Sequence, residues 1–162
     1  MLLDAINAVT KSDTSFAGLP TGTRAVQLPD NSYNAASYFL TVFGRPEMSS
    51  SCECERSGDA SLAQSLHLLN SKDIQAKLSD NNGRAALLAA DEKRTDDEKL
   101  RDLYNLAYSR DPESFEAELG KQYLEKKLNK EADKDKKLTA KRQAYEDIVW
   151  ALVSSKEFLF NH

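Results

Sequence analysis

The sequence is poor in the residue types that mark several specialised protein classes. Two cysteines, four prolines and six glycines among 162 residues exclude a collagen-like chain, a glycine-serine linker and a scaffold held by many disulfides. The longest apolar run near the C-terminus, from Ile148 to Val153, is far shorter than the roughly 18 residues of a membrane helix. No membrane span is therefore predicted.

The sequence does contain enough apolar material for one domain. It is 40% apolar and 30% charged, with a formal net charge of -4. A chain of this length corresponds to about one domain and can bury roughly 70% of its unfolded surface. We expect residues 1–162 to form a single helical domain, loop-rich over 1–58 and helical over 59–162.

The first residues form an amphipathic pattern, with Leu2, Leu3, Ile6 and Val9 on one face of a predicted helix. This segment has no basic region followed by an apolar core and a cleavage site, so it contains no signal peptide. Two interpretations remain, a short cytoplasmic protein and the C-terminal fragment of a longer chain. We favour the fragment, because nothing precedes the first helix that would cap it.

Residues 11–34 are rich in turn-forming side chains and are expected to run as an extended loop. A short strand over Thr23 to Leu28 would have no convincing partner, so no sheet is predicted. The apolar residues 35–43 suit either a buried helix or a strand, and periodicity does not separate the two at this length.

Helix signals become dense from residue 59 onwards. Caps are predicted at Asp59, at Ser71, at Thr95 in a capping box with Glu98, and at Asp111 before Pro112. A short helix rich in alanine and leucine is predicted over 83–90. The fold class that follows is mostly α: an irregular helical bundle with an extended N-terminal loop region and a C-terminal helical hairpin.

Apolar spacing within these helices predicts which side chains face a shared core. The expected inward residues are Leu62, Leu66 and Leu69; Ile74 and Leu78; Leu100, Leu103, Tyr104 and Ala107; Phe115, Leu119, Tyr123 and Leu128; and Tyr145, Ile148, Val149 and Leu152. Trp150 borders the last of these stripes, about 100° past Val149, so we expect it to be partly buried.

The predicted hairpin over 111–143 is charged but nearly balanced. It holds eight acidic and nine basic side chains, whereas binding to phosphates needs a clear cationic surplus. Tyr123 is the only aromatic residue among the basic ones, so stacking on a run of bases is poorly supported. We interpret the hairpin as solvent-exposed, and we predict no nucleic-acid partner.

Both cysteines lie in the segment Cys52-Glu53-Cys54-Glu55-Arg56. Four interpretations compete: reduced thiols, a local Cys52–Cys54 disulfide in an exported protein, a metal site, and catalytic thiol chemistry. Residues two apart on a helix point to opposite sides, so the disulfide would need a turn or extended backbone. Cysteine and histidine spacing gives little support to a metal site. We expect the segment to be packed, with Arg56 paired to a carboxylate.

Signatures of established catalytic chemistry are missing from the sequence. It has no G-x-S-x-G, H-E-x-x-H, P-loop or G-x-G-x-x-G motif, and no C-x-x-C-H for haem attachment. His67 lies in the leucine-rich stretch and fits a partly buried polar residue better than a general base. We therefore predict no catalytic residues, no metal and no cofactor in this segment.

Five strings carry a resemblance to a known family. They are GLPxGTRAVQLPD from Gly18, FGRP from Phe43, CECERS from Cys52, LAQSLHLLNS from Leu62 and YEDIVWALVxSKEFLFNH from Tyr145. They resemble the C-terminal part of the planctomycete cytochrome-associated surface proteins, the domain-of-unknown-function family 1553. The resemblance implies a longer, exported protein at the periplasm or cell surface, often with a c-type haem domain upstream.

The same strings single out a candidate functional or structural cluster. Its members are Arg45, Cys52, Cys54, Glu55, Arg56, His67 and Asn70. The resemblance supplies no established activity for them. The leading hypothesis is a non-catalytic C-terminal module of an exported multidomain protein, whose partners are other domains of the same chain. The alternatives are part of a redox or polysaccharide-processing enzyme whose main site lies upstream, and an intracellular regulatory bundle.

Overall fold

The computed structural model describes residues 2–28, 71–130 and 133–161, and these residues form seven α-helices without a strand. The helices are α1 (Leu2–Thr10), α2 (Lys72–Leu78), α3 (Arg84–Ala90), α4 (Asp96–Tyr108), α5 (Ser114–Leu128), α6 (Lys134–Val153) and α7 (Lys156–Asn161). A 3-10 turn spans Ala25–Gln27. The predicted mostly α bundle is confirmed. None of the described helices is long and apolar enough to cross a membrane.

Helix α6 is the central helix of the bundle. It packs against α1, α2, α3, α4, α5 and α7. Its inward side chains Tyr145, Val149 and Leu152 are buried, as predicted. They share one core with Leu103 of α4 and Ile6 of α1, so the first and last described helices belong to the same hydrophobic cluster.

Helix ends follow the local signals in most places. The Ser71 hydroxyl accepts a hydrogen bond from the Ile74 N–H at the start of α2. Thr95 and Glu98 form the predicted capping box at the start of α4, with the Glu98 carboxylate 2.7 Å from the Thr95 nitrogen. The short helix expected over 83–90 is α3. These three features are determined within a few residues of sequence.

The extended N-terminal loop is tied to the bundle by buried and half-buried polar groups. The Asp4 carboxylate accepts hydrogen bonds from the Ala25 and Val26 N–H groups, at 2.6 and 3.1 Å. These bonds hold a 3-10 turn in the stretch where the sequence also allows a short strand. Arg84 of α3 donates a hydrogen bond to the Val9 carbonyl at 2.7 Å. Val9 lies in the last turn of α1, where the backbone carbonyls have no N–H partner within the helix.

Two predictions about α5 are wrong. The helix begins at Ser114, with Glu113 as its N-cap, and not after Asp111. The Glu116 carboxylate accepts from the Glu113 N–H at 2.7 Å, whereas Asp111 accepts from the Asn105 amide. The inward face also differs in part: Phe115 and Leu119 are 74% and 56% exposed, whereas Tyr123 packs against the core as predicted, and the buried apolar side chain of α5 is Leu124.

Gly120 accounts for the rotated face of α5. A Cβ atom at this position would lie 2.9 Å from a Leu100 methyl carbon, closer than real Cβ contacts come. Glycine therefore lets α5 approach α4 along the line that passes through Gly120 and Leu124. The larger stripe of Phe115 and Leu119 is turned away from the core as a result.

The sequence predicts one final helix that runs from the Tyr145 stripe to the apolar residues 158–160, but the structure has two helices there, separated at Ser154 and Ser155. The Ser155 hydroxyl accepts from the Phe158 N–H at 3.1 Å and caps the start of α7. Trp150 is half-buried, as its position beside the stripe predicted. The predicted cap at Asp59, the stripe at Leu62, Leu66 and Leu69, and the segment 35–43 lie outside the described residues.

Candidate binding groove

An open hollow of about 520 Å³ lies where α4, α5 and α6 meet. We call it the groove. It is lined by Leu100 and Tyr104 of α4, by Glu116, Leu119, Gly120 and Tyr123 of α5, and by Asp147, Ile148, Trp150, Ala151 and Leu152 of α6. Eight of these eleven residues have apolar or aromatic side chains and one is glycine, and the volume is in the range of sites that hold ligands.

Helical periodicity explains why each wall presents these residues. Leu100 and Tyr104 are four apart on α4, and Glu116, Gly120 and Tyr123 follow at spacings of four and three on α5. The close contact between Gly120 and Leu100 forms the floor where the first two walls meet. The third wall is the α6 face that carries Ile148 and Ala151.

Apolar surface continues out of the groove along α5. Leu119 lines the groove and is 56% exposed, and Phe115, one turn earlier on the same helix face, is 74% exposed. Contiguous exposed apolar surface of this kind is typical of interaction sites. This surface is larger than the groove alone.

Both carboxylates of the groove are engaged in the walls. Glu116 receives two hydrogen bonds from the Arg110 guanidinium, at 2.7 and 2.9 Å, and these bonds hold its pKa below the ordinary 4.5. Asp147 accepts from the Tyr123 hydroxyl at 2.6 Å and from Lys127 Nζ at 2.9 Å. The groove thus offers apolar contact beside carboxylates that already have protein partners, an arrangement suited to binding.

Arg110 joins three helices at one end of the groove. Besides Glu116 of α5 it binds Glu157 of α7, at 2.7 and 2.9 Å. Its guanidinium carbon also lies 5.6 and 5.3 Å from the ring centroids of Tyr104 and Tyr108 on α4. This pattern of forked hydrogen bonds and ring contacts is the one for which arginine is suited.

The Arg110 node predicts an acid-dependent contribution to stability. Its hydrogen bonds lower the pKa of both Glu116 and Glu157 from 4.5. A lowered folded-state pKa stabilises the fold above the unfolded value, and the contribution is lost as the pH falls through the folded values. In urea unfolding, Arg110→Gln should therefore be less stable than the wild type at pH 7, and the difference should shrink below about pH 4.

Arg101→Gln is the control for this experiment. Arg101 is 65% exposed and lies 3.8 Å from Asp111, so its loss should change stability by less than about 1 kcal/mol. An Arg110 difference that stays constant between pH 7 and pH 3 would contradict the assignment.

A second polar cluster is enclosed beneath the start of α4. Lys99 has no exposed surface, and its Nζ donates to the Asp91 carbonyl at 2.5 Å. Tyr145 donates to Asp96 Oδ1 at 2.8 Å, and Lys141 Nζ lies 3.3 Å from the same oxygen. Burial, followed by the neighbouring charge of Lys141, lowers the pKa of Lys99. Since Lys99 and Tyr145 are both inaccessible, the cluster is structural.

The candidate residues predicted from the sequence all lie outside the described ranges. These are Arg45, Cys52, Cys54, Glu55, Arg56, His67 and Asn70. Their clustering and the proposed Cys52–Cys54 disulfide stay predictions. Among the residues that the structure does describe, no group of three or more histidine, cysteine and carboxylate side chains is arranged to hold a metal ion.

The sequence does not predict the groove, because apolar spacing places its α5 residues Leu119 and Tyr123 in the core. The sequence nevertheless contains a signal, since Phe115, Leu119 and Tyr123 form one apolar stripe and Gly120 and Leu124 form a second. A helix with two apolar stripes can bury one and leave the other free.

The model of the family described as PSD1, protein of unknown function (DUF1553), matches residues 8–124 of the chain. Helices α4 and α5 provide two walls of the groove within this range, while the α6 wall lies beyond it. Searches of curated proteins and of solved structures give no match.

Proposed function

This chain belongs to the DUF1553 (PSD1) family of proteins of unknown function, and we propose that it is a non-catalytic module that binds an apolar segment of another domain in its groove. We further propose that the module is the C-terminal part of an exported multidomain protein. The sequence resemblance described above supports that context.

The observation that carries the proposal is the apolar surface that the groove forms, within the described residues, with the exposed side chains of Leu119 and Phe115. Covering apolar surface contributes roughly 25 cal/mol for each Å² removed from water. The two carboxylates of the groove already have protein partners, Arg110 for Glu116 and Lys127 for Asp147. Contact with an apolar occupant is what this arrangement provides.

Trp150 supplies a direct test, because it is the single tryptophan of the chain and lines the groove. A neutral apolar dye such as Nile red should bind the folded chain, become fluorescent and change the Trp150 emission. Leu119→Glu should weaken dye binding by about tenfold or more, since it places a charge in the apolar wall.

Leu138→Glu is the matched control. Leu138 is 54% exposed, almost the same as Leu119, but it does not line the groove. Dye binding should be unchanged in this variant. A folded wild-type chain that leaves the dye dark, or equal losses in the two variants, would overturn the proposed function.

A further inference from the structure

We infer that the occupant of the groove is an amphipathic helix of a partner domain whose apolar stripe is flanked by lysine or arginine. This inference rests on the proposed function and adds the chemistry of the partner. The shape of the exposed apolar surface and the charges beside it carry the inference.

The apolar surface has the dimensions of a helix contact. Phe115, Leu119 and Tyr123 are spaced four apart on α5, so they form a stripe about 12 Å long at 1.5 Å per residue. A small molecule confined to the hollow would leave Phe115 uncovered, because Phe115 does not line it. Two turns of a helix lying along α5 would place one apolar side chain in the groove and cover Phe115 with the next.

The charges beside this stripe are predominantly negative. The stretch from Arg110 to Lys121 contains four carboxylates, on Asp111, Glu113, Glu116 and Glu118, but only these two cations. Each cation is shared with a carboxylate elsewhere in the fold: Arg110 with Glu157 at 2.7 Å, and Lys121 with Asp97 at 3.1 Å. Arg101 lies 3.8 Å from Asp111, so six carboxylates face three cations when these outside partners are counted. The surface next to Phe115 therefore keeps a negative surplus.

This surplus decides between a second copy of the chain and a different partner. A second copy docked on the same stripe would bring the same carboxylates against these, and juxtaposed like charges disfavour association. A helix with basic residues beside its apolar stripe complements the carboxylates and is steered towards them. The geometry and charge thus favour a basic amphipathic helix.

Titration of the chain with three synthetic peptides of about 14 residues, long enough for four helical turns, tests the inference. The first has leucines on one helical face and lysines on the other, the second replaces lysine by glutamate, and the third scrambles the first so that no stripe remains. With Trp150 emission as the signal, the leucine-lysine peptide should bind at least about tenfold more tightly than the other two. Its affinity should also fall as salt is raised.

Variants of the chain assign the binding to this surface. Phe115→Glu and Leu119→Glu should each reduce the affinity for the leucine-lysine peptide by about tenfold or more, and Leu138→Glu should leave it unchanged. The variant Glu118→Lys should shift the preference towards the leucine-glutamate peptide. Because Phe115 and Glu118 are exposed, these substitutions leave the core intact, and circular dichroism checks the fold.

Three outcomes would overturn the inference. Equal affinity for the lysine and glutamate peptides would refute the claim that the partner is basic. Equal affinity for the scrambled peptide would refute the claim that the partner is an amphipathic helix. Concentration-dependent dimerisation in sedimentation experiments that Phe115→Glu abolishes would show that the occupant is a second copy. Failure of the peptides with intact dye binding refutes this inference alone, whereas failure of both also refutes the proposed function.

Discussion

Replacing Leu103 by alanine is expected to lower the free energy of unfolding by about 2–5 kcal/mol. The Leu103 side chain has no exposed surface and belongs to the core shared by α1, α3, α4 and α6. Its truncation removes buried methyl groups and leaves a cavity that neighbouring helices can close only in part. Urea unfolding of the purified chain, followed by circular dichroism, measures the loss.

Leu106→Ala is the appropriate control, because Leu106 lies on the same helix and is 42% exposed. The same chemical change should cost less than about 1 kcal/mol there. If the two substitutions destabilised the chain equally, α4 would not present its Leu103 face to the core.

The sequence predicted α4 well because everything that defines this helix is local. The cap at Thr95 and its partner Glu98 are three residues apart, and the buried stripe of Leu100, Leu103 and Ala107 follows immediately. One element of this kind can be predicted from a short window, since its cap, its length and its apolar face agree with one another.

Helix α5 was predicted poorly because its orientation is decided by another helix. Two apolar stripes compete on α5, and the close contact between Gly120 and Leu100 selects the stripe with Leu124. The position of the N-cap is likewise supported from outside, since Glu116 is held by Arg110, which also binds Glu157 more than forty residues later. No local pattern contains that information.

The groove required the fold for the same reason. Its walls come from α4, α5 and α6, and Leu100 and Ala151 lie about fifty residues apart in the sequence. A sequence pattern shows that a helix has an apolar face, but not whether a neighbouring helix covers it. The cysteine segment stood out in the sequence for its density of reactive groups, which says nothing about whether the protein has an apolar binding surface.

Replacing the buried Lys99 should also lower the free energy of unfolding substantially. Its ammonium donates to the Asp91 carbonyl, at the C-terminal end of α3, and lies 5.9 Å from the centroid of the Tyr145 ring. Lys99→Ala loses both the packed aliphatic stem and this hydrogen bond, so it should lower the free energy of unfolding by about 2–4 kcal/mol. Lys99→Met keeps most of the stem and should cost less, about 1–3 kcal/mol.

The difference in the free energy of unfolding between the wild type and Lys99→Met should depend on pH if Lys99 is buried as a charged group. It should not depend on pH if Lys99 contributes only packing. Burial lowers the folded-state pKa of Lys99 below 10.5, so between the lowered value and 10.5 the unfolded chain binds more protons than the folded one. Stability contributed by Lys99 therefore rises with pH across this interval. In urea unfolding measured at pH 7 and at about pH 10, the wild type should gain stability relative to Lys99→Met at the higher pH. Both proteins contain the same tyrosines, so tyrosine ionisation contributes to both measurements. A difference that is constant or falls with pH would contradict a desolvated ammonium at this position.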